Sequence, residues 1–362
     1  MATFKTLPTR PLGKNGPLVP RLGLGLMSSS GMYGASYTEE ERLHFLDEAF
    51  NRGERFWDTG KSRSKHREAE TRLTSNQADK YGDSEDLLGK WFAKNPEKRG
   101  DVFLATKFGI QMTSSTPPAV TMNSTPEYCR AAIEKSLQRL GLPSVDLYYV
   151  HRLDKVTPIE RTMEAMVELK KAGKIKYIGL SACSAESLRR AHAVHPVTCI
   201  QVEYSLFCTE IESPQRMLLE VARELGVATV GYSPLGNGIL TGTIRSRDDV
   251  SKPGDLRGHL PWLHDVNIRE KVAIVDQIAD IARAKGVSTP QLALAWVLAQ
   301  GDDIFPIPGV SRVQRLEENL ESLFVEVSEE EENKLRVLGK GISGAGFQGE
   351  TGWTFADTPA LE

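Results

Sequence analysis

Residues 147–181 read LYYVHRLDKVTPIERTMEAMVELKKAGKIKYIGLS. A continuous apolar and aromatic run at 147–151 is followed by a helix-period segment at 158–172 and a second β-branched run at 177–181. Strands that are apolar throughout are covered on both faces. A strand, an amphipathic helix and another such strand make a parallel pair joined by a right-handed crossover. The same unit repeats to either side. Runs at 21–27, 55–58 and 102–107 precede helical segments at 39–51, 84–94 and 126–139. Further on, the run at 177–181 precedes 185–193, that at 200–204 precedes 214–225, that at 228–232 precedes a long helical stretch ending at 285, and that at 304–306 precedes 312–320. These make eight strand-then-helix units. A doubly wound sheet and a closed barrel both satisfy the crossover rule, and eight units favour closure, so the expected fold is a single (β/α)8 barrel of the TIM type. An N-terminal β-hairpin ahead of it and a C-terminal loop over its mouth complete the expectation.

The 362 residues include 45 Lys and Arg, 48 Asp and Glu and 31 Gly, with 40% apolar and 26% charged side chains and a formal charge of −3. That length permits a large core, and the mixed signs leave no basic stripe, so no nucleic-acid partner is expected. No apolar segment approaches the ~18 residues of a membrane span, and residues 1–20 lack the apolar centre of an export signal. The four cysteines, Cys129, Cys183, Cys199 and Cys208, form no C-x-x-C pair, and a chain this long needs no disulfide staples. The expectation is a cytoplasmic protein with reduced thiols, a monomer or weak homo-oligomer, without a membrane partner.

In a closed barrel, chemistry collects at the C-terminal ends of the strands. Those ends carry Asp58, Lys107, His151, Ser181, Gln201 to Tyr204, and Tyr232. Taken singly, Asp58 could be a helix cap, Lys107 a solvated strand end and His151 a satisfied core imidazole. Taken together, titratable groups at successive strand ends point to a site. Other motifs weigh less. GKGISG at 339–344 fits G-x-G-x-x-G, but it follows a helical segment at 328–338 and precedes none, so it reads as a flexible C-terminal loop. Gly60-Lys61-Ser62 ends like a P-loop, yet Arg55 stands where the first glycine belongs. His192 and His195 share a helix face without a third ligand, so no metal is expected.

The fragments FWDT, ADKYGDSEDLLG, LATKFG, DLYYVHRLD, GKIKYIGLSACS, QVEYSLF, GYSPLGNGILTG and IPGVSRVQRLEEN follow one another along the chain. In this order they resemble the aldo-keto reductase superfamily, above all its microbial and fungal NADP-dependent branch, over residues 12–339. The resemblance implies NADPH-dependent reduction of an aldehyde or ketone to the alcohol, with a catalytic tetrad of Asp58, Tyr81, Lys107 and His151. Chemistry supplies a reason for those residue types. Hydride addition to a carbonyl leaves an alkoxide, which needs a proton as it forms, and a phenol near pKa 10 is too weak a donor unless an adjacent ammonium lowers it. Lys107 then tunes Tyr81, the proton donor; Asp58 holds Lys107 charged, and His151 places the carbonyl oxygen.

For the cofactor, the resemblance implies that Tyr232 stacks on the nicotinamide while Ser181 and Gln201 hydrogen-bond its carboxamide. The turn Ser233, Pro234, Leu235, Gly236, Asn237, Gly238 offers backbone N–H groups to the pyrophosphate. Gly309, Ser311 and Arg312 lead into a helix N-terminus, a ready anion site. Arg312 and Arg315 would clamp the adenosine 2′-phosphate, and Glu318 with Asn319 would hold the adenine, which argues NADP over NAD. Two positions depart from the family pattern, Ala182 where many relatives place Asn and Asn237 where close ones often place Arg. Because some members of the superfamily bind NADP as regulatory subunits of ion channels with little turnover, a binding protein of that kind is the second reading. The substrate walls should come from residues 28–34, 109–125, the region after Arg152, and the tail from Gly341 with Phe347, Trp353 and Phe355. Their mixture of Gly, Ser, Met and aromatics suits a moderately apolar carbonyl.

A larger departure separates Asp58 from Tyr81. They stand 23 positions apart, 18 more than in the family pattern. The excess, GKSRSKHREAETRLTSNQ at 60–77, has only Ala69 and Leu73 as apolar side chains and cannot bury a core, so it reads as a solvated, disordered excursion. Without it the text runs FWDTADKYGDSEDLLG, matching the family without a gap. Eighteen codons are a whole number of triplets; Gly60-Lys61 fits a GT-AAG donor, Leu73-Thr74 a branch site and Gln77 a terminal CAG. The expectation is a translated, unspliced intron, and the rival is a cationic lid that recruits an acidic substrate.

Overall fold

The computed structural model describes residues 6–27, 33, 37–60, 83–112, 120–252, 255–260, 263, 265–340 and 354–361. Thr9–Pro11 (β1) and Leu18–Pro20 (β2) pair antiparallel as the expected hairpin. The order continues with β3 (Leu24–Gly25), α1 (Glu39–Asn51), β4 (Phe56–Asp58), α2 (Ser84–Lys94) and β5 (Phe103–Phe108). A small hairpin of β6 (Ile110–Met112) and β7 (Val120–Met122) follows, then α3 (Pro126–Leu140), β8 (Val145–Val150), α4 (Ile159–Lys171), β9 (Ile175–Ser181), α5 (Ala185–Val194), β10 (Cys199–Glu203), α6 (Leu218–Leu225) and β11 (Ala228–Tyr232). The chain ends its circuit with α7 (Asp265–Lys285), α8 (Thr289–Ala299), β12 (Ile304–Pro306), α9 (Val313–Glu321) and α10 (Glu329–Lys340).

Eight parallel strands form one sheet in the order β3-β4-β5-β8-β9-β10-β11-β12. Its two edges meet: Gly23 N donates to Pro306 O at 2.9 Å, and Gly25 bridges to Gly309. A Cβ on Gly25 would lie 2.8 Å from the Ile307 carbonyl oxygen, so this approach requires glycine. The barrel is therefore closed, with the helices around it.

Alternation along the strands divides the side chains into two cores. Trp57, Leu104, Tyr148, Val150, Ile178, Leu180, Ile200 and Val202 face outward into the main core under the helices. Phe56, Ala105, Leu147, Tyr149, Cys199, Ala228, Val230 and Phe305 fill the interior, and Leu12 and Val19 of the N-terminal hairpin segment pack into the same cluster. The period of two then decides what comes next. Two residues beyond Phe56, Ala105, Tyr149, Cys199 and Val230 stand Asp58, Lys107, His151, Gln201 and Tyr232. The strand-end groups are thus the top interior layer of the barrel.

Three expectations need correction. The stretch before residue 285 is not one long helix: short 3₁₀ turns at Gly236–Thr241, Arg247–Val250 and Leu256–His259 precede α7, and Asn237 and Gly238 have left-handed φ of 52° and 98° that no continuous helix accommodates. Helix α8 has no counterpart among the predicted segments. It is buried nearly all round, from Pro290 to Leu298, so it shows no polar face to reveal its period. Gly339 and Lys340, read as the start of a flexible loop, are the last turn of α10, and Gly339 is buried. Residues 341–344 lie outside the described residues. The β6–β7 hairpin was also not anticipated. Among the described residues, no helix is long and apolar enough to cross a membrane, no cluster of ligands could hold a metal, and all four cysteines are free.

Candidate active site

At the barrel floor of the mouth, Lys107 Nζ donates to Asp58 Oδ1 and, at 2.7 Å, to the Thr59 carbonyl. Gln201 Nε2 donates to the other carboxylate oxygen, Asp58 Oδ2, at 2.8 Å. Lys107 and Asp58 are 1% and 2% exposed. Burial pushes the Asp58 carboxyl above its usual range, while Lys107 and Gln201 oppose that rise. Beneath them, the Tyr149 ring lies 5.6 Å from Lys107 Nζ, and Cys199 Sγ donates to Tyr149 Oη at 3.4 Å. His151, half-buried at the end of β8, is anchored through its backbone N–H to Phe108 O at 2.6 Å.

A cavity of about 560 Å³ opens from this point. Asp58, His151, Gln201, Tyr232, Ser233, Pro234, Leu235, Gly238, Gly309, Arg315, Glu318 and Asn319 are among the residues that line it. Tyr232 is held by β11. Burial raises its hydroxyl above the usual tyrosine range, and the neighbouring Arg152 guanidinium opposes that rise. Ser233, Asn237, Gly236 and Gly238 all have positive φ, so the turn after β11 is a succession of left-handed residues that directs backbone N–H groups in several directions. A cavity lined by Tyr33 and Tyr232, by a turn of this kind and by the Arg315 cation and the Asn319 amide fits a dinucleotide in its donor set.

Some expected residues stand elsewhere. Lys107, Ser181 and Gly236 do not line the cavity. Lys107 lies behind Asp58, and the Ser181 hydroxyl accepts from Arg152 Nη1 at 3.1 Å. Ser311 instead lines, with Tyr37, a separate pocket of about 130 Å³; Ser311 Oγ and Arg312 Nε both donate to Tyr37 Oη, at 3.3 and 3.1 Å. Tyr81 and residues 61–77 lie outside the described residues, as do Gly341, Phe347 and Trp353 of the expected substrate wall. Phe355 is described and stacks under Arg216 at 4.3 Å, while Ala356 bridges to Cys183 and so seats the tail beside the end of β9.

Sequence reasoning missed Arg152, Tyr37 and Arg257. Arg257 lines the cavity, pairs with Asp255 and lies 4.7 Å over the Tyr33 ring, so the segment after β11 crosses the mouth and meets the segment after β3. Only Arg152, next to His151, had a sequence signal: a cation adjoining a strand-end imidazole. The departure at Ala182 has a backbone meaning, because its φ of 50° is one that Asn tolerates better than Ala. Among the described residues, His192 and His195 bond only locally, to Val197 N and Pro196 O.

The family model described as Aldo/keto reductase family matches residues 21–339. Aldo-keto reductase str7 of Strobilurus tenacellus is 44% identical over 337 residues, covering 92% of each chain. Aldo-keto reductase yakc of Schizosaccharomyces pombe, whose name carries NADP(+), is 40% identical over 359 residues, covering 98% of this chain and 99% of its own. Among solved structures, the glycerol dehydrogenase AKR11B4 from Gluconobacter oxydans superposes with a TM-score of 0.75 at 25% identity, covering 91% of this chain and 94% of its own.

Proposed function

The chain belongs to the aldo/keto reductase family of oxidoreductases, and from that premise we propose that it reduces an aldehyde or ketone to the alcohol with NADPH. The observation that carries this reading is the buried Lys107–Asp58 pair, whose carboxylate lines the cavity. Desolvating two charges costs several kcal/mol per ion, a cost a mere scaffold has no use for. A chain that only bound the cofactor would gain nothing from it, which weighs against the regulatory-subunit reading.

When bound, the dihydronicotinamide supplies the hydride. Tyr232 would flank it, Ser181 and Gln201 would face its carboxamide, and the turn from Ser233 to Gly238 would take the pyrophosphate. Gly309, Arg315, Glu318 and Asn319 would hold the adenosine half, with Ser311 and Arg312 beside the 2′-phosphate. The chain's own part in the chemistry is a proton. Tyr81 delivers it to the carbonyl oxygen, Lys107 lowers the phenol towards a useful pKa, Asp58 keeps Lys107 charged despite its burial, and His151 orients that oxygen. The walls formed by Met27, Tyr33 and Leu235 favour a moderately apolar carbonyl.

The test is Tyr81→Phe. Aldehyde-dependent NADPH oxidation should fall at least ~100-fold, as expected for loss of a general acid, while the Kd for NADPH stays within about twofold. Unchanged turnover overturns the assignment.

We also read residues 60–77 as the product of an unspliced intron. The Thr59 and Ser84 hydroxyls lie 2.7 Å apart, so the chain leaves and rejoins the barrel at a single point and a short family-length loop suffices between them. A mature transcript that retains these codons would count against it.

A further inference from the structure

We propose that Tyr149 is a positioning residue whose ring face stabilises the buried Lys107 ammonium as a second support beside Asp58; the inference rests on the part given to Lys107 above, as the group that activates Tyr81. Four residues stand in one row of register partners across the barrel. Lys107 on β5 meets Tyr149 on β8, Tyr149 meets Gly179 on β9, and Gly179 meets Cys199 on β10. Lys107 Nζ lies over the Tyr149 ring, 5.6 Å from its centroid, and the two residues are 1% and 0% exposed. The face of an aromatic ring is negative, so it attracts a cation, most strongly where water is excluded. Without such attraction, burial drives an ammonium towards losing its proton.

The other two members of the row hold the ring in that place. A Cβ on Gly179 would lie 2.5 Å from Tyr149 Cδ1 and 2.7 Å from Cε1, so the ring occupies the space that any side chain at 179 would fill. From β10, Cys199 Sγ donates to Tyr149 Oη at 3.4 Å. Burial raises the Cys199 thiol to about 12 and the Tyr149 hydroxyl well above the usual tyrosine range, so both stay uncharged and the ring remains a neutral phenol. Lys107 is thus faced by the Asp58 carboxylate from β4 and by Tyr149 from β8, and it lies within electrostatic reach of the Cys199 thiol from β10. Tyr81, the group it is to activate, lies outside the described residues. Burial already pushes the Asp58 carboxyl above its usual range. A ring adds attraction for the ammonium without a second buried charge to desolvate.

The experiment replaces Tyr149 with Leu, which keeps the interior apolar but has no ring, and with Phe, which keeps the ring and loses the hydroxyl. Carbon-13 NMR of the full chain, labelled at the lysine ε-carbon and free of cofactor, follows the Lys107 ammonium through pH, its signal assigned by its loss in Lys107→Met. Tyr149→Leu should lower the titration midpoint by about one pH unit, while Tyr149→Phe stays within about 0.3 of the wild-type chain. The alkaline limb of kcat/KM for aldehyde reduction should move down with it. Gly179→Ala, which displaces the ring but keeps the tyrosine, should act in the same direction and add nothing in the Tyr149→Leu background. An unchanged midpoint in Tyr149→Leu, or an equal fall in Tyr149→Phe, overturns the proposal. If Tyr149→Leu fails to fold, Tyr149→Met, also apolar and without a ring, decides by the same criterion. A midpoint that falls while the alkaline limb stays in place supports the role of the ring and refutes instead the catalytic part given to Lys107.

Discussion

Single residues in this barrel owe their chemistry to neighbours that sequence spacing does not show. Asp58, Lys107, His151 and Gln201 were legible because each ends an apolar strand on the inward parity, where a charge or amide has no structural purpose. Tyr37 was not, and the bond from Arg152 to Ser181 was hidden for the same reason: the partners, Ser311 and Ser181, come from distant parts of the chain. Glu54 shows the same dependence in a structural role. It is fully buried, its Oε1 accepts from Phe56 N at 2.8 Å, and Oε2 has no partner among the described residues. Burial raises its carboxyl to about 8. Because the folded state holds this proton while the unfolded chain releases it near the ordinary carboxylate value, stability falls as pH rises between roughly 4.5 and 8, by at most ~1.4 kcal/mol per pH unit. Glu54→Gln should remove that slope and raise the melting temperature more at pH 8 than at pH 5. Equal shifts at the two pH values would contradict the account.

At the scale of elements, boundaries followed local signals closely where those signals exist. Thr38 and Glu41 form a capping box that starts α1, Thr125 caps α3 just before Pro126, and Gly141 ends α3 in a left-handed conformation. Helix α8 has such a box too, from Ser288 and Gln291, but its all-round burial hides the period that would have announced it. The end of α10 was misread because Gly339 looked like a loop residue. Its reason is packing: a Cβ there would lie 2.2 Å from the Leu206 carbonyl oxygen. Gly339→Ala should therefore cost about 1–3 kcal/mol, the range for forced overpacking, measured by urea unfolding. Wild-type stability would mean that α10 moves away freely.

For the molecule as a whole, closure of the sheet brings ends of strands far apart in sequence into one layer over a plugged interior. The proposed insertion at 60–77 belongs to this scale, because it lengthens one link of the circuit. Shortening the link about fourfold should gain about 1 kcal/mol of loop-closure entropy. A chain lacking residues 60–77 should melt no lower than the full chain and reduce aldehydes at least ~10-fold faster, since misplacement of Tyr81 by even 1 Å costs about a hundredfold. Loss of activity on deletion would identify the segment as a working lid.

The amino-acid sequence alone determined the eight strands, the helices with a polar face and the parity that aims Asp58, Lys107, His151 and Gln201 inward. These rest on interactions between residues close in the chain, or on a periodicity visible within a few turns. Only the tertiary structure decided that Gln201 commits its amide to Asp58, that Arg152 reaches Ser181 and that α10 needs a glycine at position 339. Each is a contact between separate elements at a few ångströms, fixed by how the closed barrel brings their ends together.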